Sequence, residues 1–172
     1  MTAAITLPDA APIDFVPSAD TTRELRNAFG KFATGVTLVT CRFDGKPVGI
    51  AANSFSSVSL EPALCLWVLG KTSSRYQAFT EADHYAVHIL SADQQALCGE
   101  IAKNGWALAE HAAAMSEHGV PLLDGALARL ECRRSALHEG GDHTIIVGEI
   151  LRASYTDGEA LTYFASQYGR MG

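Results

Sequence analysis

Asn53, Ser54, Ser56, Ser57 and Ser59 place one amide and four hydroxyls within seven residues, between the apolar runs "GIAA" and "ALCLWVL". A turn is served by two or three such side chains. Five can form a rim that hydrogen-bonds a polar ligand whose flat body rests on the preceding strand. Just downstream, Lys71 precedes Ser73 and Ser74, and Arg75 follows. A helix start with free N–H groups beside a cation suits a phosphate. A wet turn followed by an ordinary N-cap uses the same residue types, so composition leaves both readings open. The third feature is His143, set after Gly-Gly-Asp and before the apolar "TIIV". An imidazole held by a hairpin can orient a second flat ligand, or it can simply close the hairpin.

Other chemistries lack their devices. No GxGxxG follows a strand pattern and no GxxxxGK[ST] occurs, so neither common nucleotide cradle is present. His84 and His88 share a strand face, but two histidines without a third ligand make a poor metal site. His111, His118 and His138 complete no set, and no metal is expected. Cys41, Cys65, Cys98 and Cys132 form no CxxC pair and read as buried, reduced thiols of a cytoplasmic protein.

These residues need a scaffold. The 172 residues suit one domain, with 48% hydrophobic and 19% charged residues. Net charge is −6, and no basic cluster offers a nucleic-acid surface. No apolar run reaches membrane-spanning length, and the N-terminus shows no signal-peptide pattern.

Residues 1–17 read as a flexible arm and 18–172 as the domain. Ser18 or Asp20 caps a helix carrying Leu25, Ala28, Phe29 and Phe32 on one face. "TGVTLVTCRF" (34–43) is β-branched and reads as a strand, Asp44-Gly45 as a hairpin turn. A second strand runs from Val48 to Phe55, a polar turn follows, and "ALCLWVL" (63–69) is a third. A short helix over 71–82 is capped by Thr72 or Ser73. "HYAVHIL" (84–90) alternates as a strand does, and 91–104 has helical spacing. Residues 105–120 are either helix or excursion. Two long strands flank Gly140-Gly141, the second apolar on both faces and therefore expected to be covered on both. "ALTYF" is the last strand. Six or seven hairpin-linked strands with few crossovers predict a mainly β protein, an antiparallel barrel with helical insertions.

"FATGVTLVT", "GIAANSFSSVSLEPALCLWVLGKTSS", "GGDHTIIVGEI" and "LTYFASQYG" occur in that order. Together they resemble the flavin reductase-like domain family, over roughly residues 22–170. The resemblance implies a split β-barrel of the FMN-binding type, usually a homodimer. It implies FMN or FAD as cofactor, and NADH or NADPH as hydride donor, with NADH favoured because no Arg cluster awaits a 2′-phosphate. It implies a diffusible reduced-flavin link to a monooxygenase, and no membrane or nucleic acid.

It also assigns roles. The segment from Ala51 to Ser59 would line the flavin, with Ala52, Asn53, Ser54 and Phe55 bordering the ring. Ser57 and Ser59 would reach the ribityl and phosphate end, and Lys71, Ser73 and Ser74 would serve the phosphate. Thr34, Gly35 and Val36 would pass beneath the ring. Tyr168 would sit by it, Tyr163 in the core. His143 would bind the nicotinamide, braced by Asp142. A non-catalytic flavin-binding sensor or storage protein would keep the rim without needing His143. An oxidase of the pyridoxamine-phosphate type would want more basic residues than Lys71 and Arg75.

Overall fold

The computed structural model describes residues 11–172. Residues 11–17 carry no helix or strand, and residues 1–10 of the expected arm lie outside the described residues. Ser18 opens a 3-10 turn, its backbone N–H donating to Thr21 Oγ1 at 2.8 Å, which runs into α1, Thr22–Phe29. The expected first strand is split. β1 (Thr34–Gly35) and β2 (Thr37–Phe43) belong to different sheets. Val36 is the switch, donating to Leu161 O (3.1 Å) and accepting from Leu90 N (3.0 Å). Asp44 and Gly45, both at positive φ (48° and 75°), then turn the chain into β3, Lys46–Ala52.

The polar stretch after β3 is not one long turn. Ser56–Leu60 forms β4, antiparallel to β5, Ala63–Gly70. β4 is an edge strand of the main sheet, and most of its residues are exposed. α2 is shorter than expected, Tyr76–Glu81, and its N-cap is Arg75 rather than Thr72 or Ser73. β6 spans His84–Ile89, and α3, Gln95–Lys103, follows a 3-10 turn headed by Ser91. The ambiguous segment is an excursion: a 3-10 helix over Gly105–Glu110, then a small hairpin of β7, Ala114–Met115, and β8, Pro121–Leu122. β9 (Ala128–Gly140) and β10 (His143–Tyr155) are the long pair, and β11 (Ala160–Phe164) is joined by β12, Gln167–Met171.

The main sheet has the order β3-β2-β6-β9-β10-β5-β4, every pair antiparallel. Val48 of β3, at one edge, shares a core cluster with Cys65 and Trp67 of β5, near the other, so the sheet curls on itself into a split barrel. Phe79 of α2 plugs this core edge-on against Trp67, with ring centroids 5.3 Å apart. Burying Phe79 contributes about 1.5–3 kcal/mol, which holds a six-residue helix that could not form alone. A second core, with Val36, Leu38, Cys98, Ile101 and Leu161, lies between the barrel, α3 and β11. Gly148 is a packing requirement, because the Tyr85 hydroxyl lies 2.1 Å from where its Cβ would stand. Behind it, Cys65 and Cys132 bring their Sγ atoms to 3.7 Å from strands on either side of β10. Two strand spacings, about 10 Å, separate their backbones, too far for a disulfide without backbone movement.

In the first half of β10 only one face is fully covered. Thr144, Ile146 and Gly148 are buried, Ile145 and Val147 are half-buried, and Leu151 is 42% exposed. Full cover of both faces, expected from the apolar pattern, is therefore absent in the single chain. His88 is structural: fully buried, with Nδ1 3.1 Å from Leu38 O and Nε2 accepting from Leu123 N at 3.1 Å. Burial lowers its pKa to about 4. His84 instead stacks on His118 at 4.2 Å. Among the described residues no helix is long and apolar enough to cross a membrane, and no group of three His, Cys, Asp or Glu could hold a metal.

Candidate functional site

Two clefts meet at Asn53. One, of 210 Å³, is lined by Val36, Ala51, Ala52, Asn53, Tyr163 and Tyr168. The other, of 280 Å³, is lined by Thr34, Gly35, Asn53, Phe55 and Phe32, among others. Thus eight predicted residues, from two separate sequence segments and β12, converge here. The floor is the Val36 crossing between sheets, and no side chain projects from Gly35. A larger cleft, 730 Å³ along α3 at Gly99, Lys103 and Arg170, contains none of the predicted residues. Chemistry rather than size selects the Asn53 clefts, because unspent polar groups lie there.

The Thr34 hydroxyl oxygen is buried without a partner. A buried unpaired hydroxyl costs about 1–3 kcal/mol, so it marks a place where a ligand's polar atom fits. Past Ala52 the chain leaves the ladder. Among the described residues nothing accepts from the N–H groups of Asn53, Ser54 or Phe55. Three free donors in a row suit the polar edge of a flat heterocycle.

The serines divide. Ser54 Oγ accepts from Val68 N (3.0 Å) and donates to Val68 O (3.3 Å), so its hydroxyl closes the gap between β3 and β5. Ser57 and Ser59 lie on β4, opposite Cys65 and Leu64. Ser73 Oγ accepts from Arg75 N at 3.2 Å, while Ser74 is exposed. Arg75 points away from this turn. Its Nη2 donates to Ile101 O and Ala102 O, both at 3.1 Å, capping the end of α3. Lys71 forms an ion pair with Glu139, which raises its pKa above the ordinary lysine value.

His143 sits opposite Gly70, with its Nε2 3.5 Å from where a Gly70 Cβ would stand. Its Nδ1 lies 2.7 Å from Asp142 Oδ1, and the imidazole holds that carboxyl below its ordinary pKa. Asp142 O also accepts from Lys71 N at 2.9 Å, tying the hairpin to the turn after β5. Ser54 is bonded to Val68 of β5 and His143 pairs with Gly70 of the same strand, so their backbones lie two strand spacings, about 10 Å, apart. The rim and the His143 corner therefore share one end of the barrel.

Tyr163 and Tyr168 meet edge-on at 5.2 Å. Tyr163, expected in the core, is half-buried and lines the cleft. The Tyr168 hydroxyl lies 3.7 Å from Cys98 Sγ, and burial pushes its pKa up to about 12, so it stays a neutral donor at the cleft. Phe32, 78% exposed, stands at the cleft mouth rather than on the core face that its helical spacing predicts. Nothing local in the sequence says that α1 stands off the barrel.

Known proteins resemble this chain along most of its length. Residues 29–172 match the model of the flavin reductase like domain. The FMN reductase (NADH) SmoA of Agrobacterium fabrum is 50% identical over 156 residues, covering 91% of this chain and 90% of that protein. The reductase component of the flavin-dependent trigonelline monooxygenase of Acinetobacter baylyi is 42% identical over 148 residues, 85% of this chain; the chain spans 48% of its length. The NADH:FAD oxidoreductase SgcE6 of Streptomyces globisporus, solved with NAD and FAD fragments, superposes with a TM-score of 0.84 at 35% identity, covering 92% of this chain and 98% of that one. With five-sixths of its length matched and a half-identical relative over nine-tenths of it, the chain belongs to the flavin reductase like domain family.

Proposed function

We propose that the chain is an NADH-dependent reductase of FMN or FAD that supplies reduced flavin to a partner monooxygenase in the cytoplasm. The observation that carries this reading is His143, fixed by Asp142 on the same barrel end as the unspent donors at Asn53. A bound flavin supplies a ring that accepts hydride from the nicotinamide. The chain has no proton to shuttle in that step. Its task is to hold two flat molecules in contact and keep water out.

The backbone N–H groups from Asn53 to Phe55 and the Thr34 hydroxyl bind the polar edge of the first ring. Val36, Ala51 and Ala52 give it an apolar floor, and Tyr168 a wall. Lys71, Ser73 and Ser74 take the phosphate, with Ser57 and Ser59 between. His143 orients the nicotinamide. Mixing the protein with FMN and NADH under anaerobic conditions is expected to bleach the oxidised-flavin absorbance. Binding without bleaching would leave a carrier, not a reductase.

Asn53 is exposed at the rim, so its amide contributes the net worth of an ordinary hydrogen bond. Asn53→Ala is expected to weaken flavin binding about fivefold, corresponding to about 1 kcal/mol. A fluorescence titration with an unchanged dissociation constant would remove the amide from the site.

The working form is a homodimer. Phe29 (68% exposed) and Phe32 stand on α1 and just beyond it, and Ile145, Val147 and Leu151 on the open face of β10. Phe32 also lines the cleft, so apolar surface in need of cover runs up to the site itself. Light scattering at micromolar concentration is expected to give twice the 18.3 kDa of one chain. A monomer would contradict the assignment.

A further inference from the structure

The phosphate corner carries its own anion. Lys71 Nζ pairs with Glu139 Oε2, and that ammonium has no other partner among the described residues. Glu139 stands on β9 opposite Thr144, two residues before the Gly141-Asp142 turn, and its side chain is 81% exposed. That carboxylate makes no other hydrogen bond or ion pair with a described residue. It is a solvated carboxylate on a rigid strand, within reach of the one lysine assigned to the phosphate. His143 has the same relation to Asp142, so both basic groups at this end are met by acids of one hairpin.

We propose that Glu139 is a built-in competitor of the flavin phosphate: its carboxylate holds Lys71 in the free protein and is displaced when phosphate binds. This rests on the reading of Lys71, Ser73 and Ser74 as the phosphate site. Lys71 is raised in pKa by the pair, as a lysine already engaged in the free protein should be. The apparent affinity for a phosphorylated flavin falls by the fraction of Lys71 left free. An exposed pair of this kind lowers that fraction by a factor of about two to five. The effect is specific, because a flavin without phosphate does not contest Lys71. It also has a use: a reductase that hands on its product needs the phosphate held loosely, and Glu139 recaptures Lys71 as the flavin leaves.

The test compares FMN with riboflavin, which lacks the phosphate, by fluorescence titration of the full chain. Glu139→Gln is expected to tighten FMN about two- to fivefold and leave riboflavin unchanged. Glu139→Asp, which keeps the charge, is expected to return FMN binding toward the parent value. Lys71→Ala is expected to weaken FMN and leave riboflavin unchanged. If Lys71→Ala behaves so while Glu139→Gln leaves FMN unchanged or weaker, the competitor is overturned and the phosphate site stands. If Glu139→Gln shifts FMN and riboflavin alike, Glu139 is only a structural brace and the proposal fails. If Lys71→Ala does not change the ratio of the two affinities, the phosphate reading itself falls and takes the proposal with it.

Discussion

His143→Ala is expected to lower kcat/KM for NADH by about five- to thirtyfold while leaving flavin affinity nearly unchanged. The two effects separate because the groups sit on different strands. The proposed flavin rim is built from the segment after β3 and from the Val36 crossing, whereas His143 begins β10. Its Nδ1 is committed to Asp142, so the other nitrogen is the one offered to a ligand. Losing one ordinary hydrogen bond, about 1–2 kcal/mol, sets the size of the effect. Steady-state kinetics at saturating flavin, with a thermal melt alongside, decides the matter. A variant with the parent kcat/KM and a lowered melting point would show that His143 only closes the hairpin.

The largest effect on stability is expected from Gly105→Ala. A Cβ at this buried position would stand 2.2 Å from Gly49 O and 2.3 Å from Arg75 Nε. The first is backbone of β3 and cannot swing aside. The second belongs to the side chain that caps α3 and leads back to the Ser73–Ser74 turn. Overpacking of this kind costs about 1–3 kcal/mol. Because β3 carries Ala51 and Ala52 into the cleft, the shift reaches the site as well, and flavin affinity should fall with the denaturation midpoint. Gly99→Ala is the control. That position lies on α3 with nothing within 4 Å of a new Cβ, so the helix should gain stability or stay level. Equal midpoints for the two variants would mean that β3 and the excursion are not coupled through Gly105.

Much of the barrel is legible in the sequence because its strands are local patterns. β-branched runs and the Asp44-Gly45 and Gly140-Gly141 turns are enough to place the hairpins. The convergence of Thr34, Val36, Ala52 and Asn53 is legible only through resemblance, since nothing in the spacing brings 34–36 beside 51–53. The serines are harder. A run of hydroxyls reads as a loop, yet Ser54 is a strand clamp and Ser56–Ser59 an edge strand. Polarity reports exposure, and an edge strand is as exposed as a turn. Arg75 misleads for a similar reason. A cation in a first helical turn suggests an anion, but its partners are the carbonyls of Ile101 and Ala102, 26 and 27 residues away in sequence and invisible to any local rule. The apolar stripe of α1 and the open face of β10 read as core because an apolar pattern predicts burial without saying whether the chain itself supplies the cover.

The arrangement of the four thiols bears on what such a protein must survive. Reduced flavin that escapes its acceptor meets dioxygen and yields peroxide beside the protein that released it. Peroxide attacks thiolates that it can reach. Here Cys41, Cys65, Cys98 and Cys132 are all buried, and burial pushes the Cys41 thiol up to about 12 and raises that of Cys98. Cys65 and Cys132, although neighbours, are set too far apart along the sheet to lock as a disulfide. Burial thus keeps all four thiols, Cys65 included, out of reach of the peroxide that escaping reduced flavin would generate.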